Sequence, residues 1–204
     1  MVAIITGDVI NSEKIDAKKW LSVLKEYFNT FGKSPTDWAI YRGDEFQLRV
    51  GNVEEAFITA IQIKAKMKQF KDLDVRLSIG LGDEIVGSKN ILESNGTAFI
   101  RSGRTFDDLR KNKTTMLVNT GNQEIDQELN LYIKLALTGF MDRWSVASAE
   151  VVSLILENMT ISQEEIAKMA GMAQAAISQR LKRANFEVLM DLNCMFVKKI
   201  KSFQ

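Results

Sequence analysis

The hydrophobic period of the chain changes at Gly121, and this change restricts the fold more than any other feature. Before it, short apolar runs alternate with helical stripes, as strands and helices do when they return to one sheet. After it, every apolar stripe has helical spacing. Residues 2–6 form an apolar run suited to burial on both faces, and 16–31 place Trp20, Leu24, Tyr27, Phe28 and Phe31 along one helix side. Residues 38–41 and 46–50 flank Arg42-Gly43-Asp44-Glu45 as a β-hairpin. Residues 53–70 predict a helix with its lysines opposite the apolar stripe, 75–81 a strand, 95–109 a helix and 115–118 a strand. Gly80 and Gly82 mark a place where a backbone or a ligand comes close. The order βαββαβ, then one more helix and strand, predicts an α+β fold: a ferredoxin-like palm with an added α–β unit.

The expected organisation is a palm-like domain over residues 1–120, a connecting helix over 121–144 and an all-α helix-turn-helix domain over 145–204. A 46% apolar, 26% charged composition suits a globular core, and a net charge of +1 means that any DNA affinity must come from a local patch. With no histidine, Ser/His and Cys/His nucleophile pairs and histidine metal ligation are excluded. The single cysteine, Cys194, excludes an internal disulfide and sits in an apolar run that predicts a core thiol. Chemistry is left to carboxylates, lysine, arginine and a hard cation bound through oxygen. The N-terminal run has no cationic lead, and no stretch reaches roughly eighteen uninterrupted apolar residues. A cytoplasmic protein without a membrane partner is expected.

Residues 162–182 carry the spacing of a helix-turn-helix. Ser162-Gln-Glu-Glu165 is a capping box, Ala167 a small residue inside the first helix and Gly171 the turn, with Ile166, Met172, Ile177 and Leu181 as the clamp. On this reading residues 174–183 enter a major groove of double-stranded DNA. Gln174, Ser178 and Gln179, with Ala173 and Ala175, face base edges, and Lys182 and Arg183 lie near phosphates. The plainer alternative is a helical hairpin that only packs or dimerises. Residues 187–202 are apolar on more sides than a solvated helix needs, which suits core or the seam of a homodimer.

Asp8 follows the first strand and Asp44 tips the hairpin. In a palm these carboxylates converge and hold Mg²⁺ or Mn²⁺ against nucleotide phosphates. Asn11 and Ser12, on the way into the first helix, and Gly43 are candidates for the nucleotide's phosphates, and Arg101 and Arg104 on the helix after Gly96 are further candidates. Gly43-Asp44 also suits a plain hairpin turn, and Asp8 a strand end.

Gly7-Asp-Val-Ile-Asn-Ser12, Arg42-Gly-Asp-Glu-Phe-Gln47, Arg76-Leu-Ser-Ile-Gly-Leu-Gly82 and Gly96-Thr-Ala-Phe99 resemble the SatD family over nearly the whole chain. The resemblance implies a bacterial protein whose N-terminal domain is similar to class III nucleotidyl cyclases and diguanylate cyclases, with Asp8 and Asp44 at the matching metal positions. Arg42 stands where the diguanylate cyclase signature has its first glycine. The expected function is a dimeric, DNA-binding transcriptional regulator whose palm senses a nucleotide with a divalent metal. The alternative is a metal-dependent, nucleotidyl cyclase-like phosphoryl-transfer enzyme that carries a helix-turn-helix.

Overall fold

The computed structural model describes residues 1–85 and 89–202. Its strands are β1 (Val2–Ile10), β2 (Trp38–Tyr41), β3 (Glu45–Val50), β4 (Asp74–Gly82) and β5 (Met116–Asn119), in one sheet ordered β2-β3-β1-β4-β5. β2, β3, β1 and β4 are antiparallel neighbours, and β5 joins β4 in parallel. Three helices intervene: α1 (Ala17–Phe28), α2 (Ala56–Lys68) and α3 (Thr97–Lys111). Five follow: α4 (Gln123–Gly139), α5 (Val146–Glu157), α6 (Gln163–Met169), α7 (Gln174–Arg183) and α8 (Phe186–Lys201). The described residues thus form a mixed α+β structure. None of these helices is long and apolar enough to cross a membrane.

β1 is longer than its apolar run predicts. Pairing with β3 on one edge and β4 on the other carries it through Thr6, Gly7 and Asp8 to Ile10, because a ladder on both edges satisfies every backbone group. Asp8 therefore lies inside the strand, across from Glu45 and Arg76, instead of ending it. Alternation then sorts the faces. Ala3, Ile5 and Val9 join Val75, Leu77, Ile79 and Leu81 in the main core with residues of α1 and α2. Val2 and Ile4 pack with Ala98 and Phe99 of α3 on the opposite face. There a buried hydroxyl network sits between sheet and helix: Ser102 Oγ donates to Thr6 Oγ1 at 2.7 Å, and Ser78 Oγ to the Thr6 carbonyl at 3.1 Å.

Gly80 and Gly82 resolve to close backbone packing. A Cβ on Gly80 would fall 2.3 Å from the Ser102 amide nitrogen, and one on Gly82 2.7 Å from that of Ala98. α3 lies directly on them.

The expectation for α2 needs correction. No residue of this helix is exposed, and Lys64, expected on a solvated side, has 0% accessibility. The cause is a second layer. Phe57 stacks on Phe196 of α8 with centroids 5.4 Å apart, and Gln62 Nε2 donates to Ser153 Oγ of α5 at 3.1 Å. The apolar core continues without a break from the sheet through α2 to Leu129, Ile133, Val152, Leu189 and Phe196. Buried Lys64 is neutralised from both sides: its Nζ lies 2.8 Å from Asp74 at the start of β4 and 2.8 Å from Asp142 in the short turn before α5. Lys68 closes the cluster on Asp74 at 3.1 Å.

Beyond α2, Val151, Ile155, Ile166, Ala167, Ile177 and Leu181 make a smaller core among α5, α6 and α7. Trp20 is buried as its stripe predicts, and Trp38 and Trp144 are buried too. Cys194 is not: α8 turns Leu189, Phe196 and Ile200 inward and leaves the thiol exposed.

Removing one partner from a buried, paired charge leaves the others uncompensated and typically costs about 3–5 kcal/mol. Lys64→Ala is expected to lower the unfolding free energy by about 3 kcal/mol in urea titrations. Tryptophan fluorescence and far-UV circular dichroism should report the same midpoint, since sheet and C-terminal helices share this core.

Candidate functional site

One end of the sheet collects ionisable side chains. β1 delivers Asp8, 5% exposed, and its antiparallel neighbour β4 delivers Arg76 directly across from it. The guanidinium grips the carboxylate with two bonds, Nε to Oδ1 at 2.9 Å and Nη2 to Oδ2 at 2.5 Å. A second guanidinium, Arg110 at the C-terminal end of α3, stands 4.0 Å from the same Oδ2. Burial pushes the Asp8 carboxyl above its ordinary value; the Arg76 hydrogen bond and charge, then Arg110, pull it back, while the nearby Asp44 carboxylate adds to the rise.

The β2–β3 hairpin brings Asp44 to this end. Its carbonyl accepts from the Val9 amide at 3.3 Å, and its Oδ2 accepts from Ser12 Oγ at 2.6 Å. Arg42 and Gly43 at the tip both have positive φ, 52° and 94°, as tight hairpin turns require. Asp8, Ser12, Asp44 and the tip glycine therefore do gather.

The other expected nucleotide contacts go elsewhere. Asn11 adopts a left-handed backbone, and its Nδ2 donates to the Asp72 carbonyl at 2.8 Å, tying the β1–α1 connection to the α2–β4 loop. Arg101 lies toward the opposite end of β4. Its Nη1 donates to the carbonyls of Leu81 and Thr120, at 2.5 and 2.9 Å, and its guanidinium lies where a Cβ on Gly121 would be. Leu81 is five residues along β4 from Arg76, roughly 17 Å at the usual strand rise. Arg104 is exposed one turn further along α3.

Two functional-looking residues escape a reading by motif. Arg76 sits in a strand whose motif carries the family resemblance but assigns it no role, and Arg110 lies just past the helix predicted over 95–109. The signal for Arg76 is the strand's alternation: Val75, Leu77, Ile79 and Leu81 take the core face, which assigns Arg76, Ser78, Gly80 and Gly82 to the face that Asp8 shares.

A divalent ion between Asp8 and Asp44 would need carboxylate lone pairs that point at it. Both oxygens of Asp8 are bonded to Arg76, Asp44 accepts from Ser12, and no group of three or more acidic or cysteine side chains in ligating geometry occurs among the described residues. This donor set does not fit the metal.

At the far end of the chain, α6 opens with the expected capping box. Ser162 Oγ accepts from the Glu165 amide at 3.2 Å, while Glu165 Oε2 accepts from the Ser162 amide at 3.0 Å and from its hydroxyl at 2.8 Å. The Ser162 amide, followed by its hydroxyl, lowers the Glu165 carboxyl below its ordinary value. The helix ends at Gly171, φ 63°, where the Met172 amide donates to Ala167 and the Gly171 amide to Lys168, the paired closure that turns a chain sharply. Then α7 begins. Ile177 and Leu181 are buried beneath it, and Arg180 pins it to Glu150 of α5 at 3.0 Å. Gln174, Ser178, Gln179, Lys182 and Arg183 are all exposed.

Fold and site together define an α+β protein in which a five-stranded mixed sheet presents an aspartate–arginine cluster at one end and adjoins a compact helical layer. The chain belongs to the SatD family, whose model matches residues 1–195, from β1 into α8. No curated protein matches it. Among solved structures it is similar to that of a bacterial light-regulated adenylyl cyclase, at 15% identity and a TM-score of 0.35 over 58% of this chain. The match covers 42% of that structure's chain, so this protein spans less than half of it.

Arg101 is thus a brace between β4 and the segment after β5. Arg101→Met should cost roughly 2 kcal/mol of stability in chemical denaturation, the usual loss for hydrogen bonds made by a charged group. Any ligand affinity measured at the Asp8 end should stay unchanged.

Proposed function

We propose that this protein is a dimeric, DNA-binding transcriptional regulator whose sheet half receives an anionic, nucleotide-like ligand. The observation that carries the reading is the row Gln174, Ser178, Gln179, Lys182 and Arg183. These exposed side chains share one short helix whose other side is locked by Ile177, Leu181 and Arg180 onto a capped helix and a sharp turn. Helix-turn-helix readers need such a rigid, solvent-facing second helix, with amide side chains for bases and cations for phosphates.

The sheet half supports a palm-type reading through its topology. The element order β1-α1-β2-β3-α2-β4 and the strand order β2-β3-β1-β4 are those of the ferredoxin-like plan. Ser12 and the two guanidiniums beside Asp8 are the groups there that suit a phosphate-bearing ligand. The phosphoryl-transfer alternative gains less, because it needs the carboxylates that Arg76 and Ser12 engage.

Two half-sites call for two copies. An apolar groove of about 410 Å³ between α4 and α8, lined by Tyr132, Leu135, Phe140, Val188, Leu192 and Met195, leaves Leu135 58% and Val188 54% exposed. A second copy seated there would cover them.

Selection of binding sequences from a random duplex pool, followed by fluorescence anisotropy, tests the reading. Gln179→Ala should reduce affinity for the selected site about tenfold or more relative to random DNA. Lys182→Ala and Arg183→Ala should weaken all sequences alike, each lowering the salt slope by about one. A pool that yields no enriched sequence refutes DNA reading. Light scattering should give a dimer mass for the wild type and a monomer mass for Leu135→Glu/Val188→Glu, with weaker binding to a two-half site.

A further inference from the structure

The Asp8–Arg76 pair bears on what this end of the sheet can bind, independently of whether α7 reads DNA. Cross-strand register places the two residues opposite each other on central strands, so the backbone itself delivers the guanidinium to the carboxylate. The contact uses both carboxylate oxygens and two guanidinium nitrogens, the planar fork that makes arginine–carboxylate pairs strong and specific. The aspartate side chain is 7% exposed and the arginine 27%, so water screens the pair little. Arg110 adds a second positive group 4.0 Å away. A divalent ion entering here would have to break a buried bidentate pair and settle beside two guanidiniums, with Asp44 already accepting from Ser12.

We infer that Arg76 holds the cation's place at Asp8, so that the Asp8–Asp44 end of the sheet is a metal-free site closed by a guanidinium. The two carboxylates have separate jobs. Asp8 orients Arg76, and Asp44 fixes the entry to the first helix through Ser12. A ligand phosphate arriving at this end meets arginine nitrogens directly, with no bridging ion.

The test is Mn²⁺ binding to the full chain, read by the electron paramagnetic resonance signal of free Mn²⁺. The wild type should remove no more Mn²⁺ from solution than Asp8→Asn does. Arg76→Met uncovers Asp8 and should bind Mn²⁺ at least about tenfold more tightly than the wild type, a gain that Asp8→Asn cancels in the double variant. Binding by the wild type that Asp8→Asn abolishes would overturn the inference, and so would an Arg76→Met protein with no gain. If Arg76→Met does not fold, Arg76→Gln replaces it, and the wild-type comparison decides the first arm without any arginine variant.

Discussion

Everything in this molecule leans on a helix that has no side turned to water. α2 packs beneath the sheet with one flank and beneath α5 and α8 with the other, so its thirteen residues meet protein in every direction. Burial of that kind would ordinarily demand a wholly apolar sequence. Here the helix carries three lysines, and the fully buried one, Lys64, is neutralised by Asp74 and Asp142 from two different layers. A lone buried ammonium is prohibitive; a lysine shared by two aspartates becomes a clasp that works only when both layers are in place.

The same logic governs the sheet's far face. Asp8 lies deep enough that its charge needs a partner, and β4 supplies one by register. Arg76 follows Asp74 on that strand with only Val75 between them. One short stretch of β4 thus answers a buried aspartate of β1 and a buried lysine of α2, the lysine through Asp74 at the very start of the strand. The small residues that follow, Ser78, Gly80 and Gly82, let α3 lie close enough to bring Arg110 to the same carboxylate.

Much of the architecture was legible in the residues. Most strands and helices follow from periodicity to within a few residues, although the helix expected over 121–144 stops at Gly139, and the capping box at Ser162 and the turn at Gly171 lie where their chemistry requires. The errors share one physical cause: neighbours that are remote in sequence. The polar residues Thr6 and Asp8 look like a strand's end until β3 and β4 are both beside them. Lys64 looks solvated until Asp74 and Asp142 close on it, and Cys194 looks buried until α8 chooses which side to turn inward. Pairing Asp8 with Asp44 across the chain captured their convergence, since Val9 and Ser12 hold the hairpin there. It overlooked Arg76 because an arginine in a strand announces nothing until the strand order is known. Arg101 was misplaced for the same reason: proximity along α3 says little about which end of the sheet a side chain serves.

The closed sides of α2 also set a schedule for synthesis. The sheet strands and α1 leave the ribosome first and can assemble around α2, yet the flank that carries Phe57 and Gln62 has no cover until α5 and α8 are made. For the interval in which more than half the chain exists without its C-terminal helices, a large apolar surface with a half-paired lysine at its rim faces water or a chaperone. Nascent chains in that condition aggregate readily. Docking of α5 and α8 is therefore also what ends the chain's most vulnerable moment.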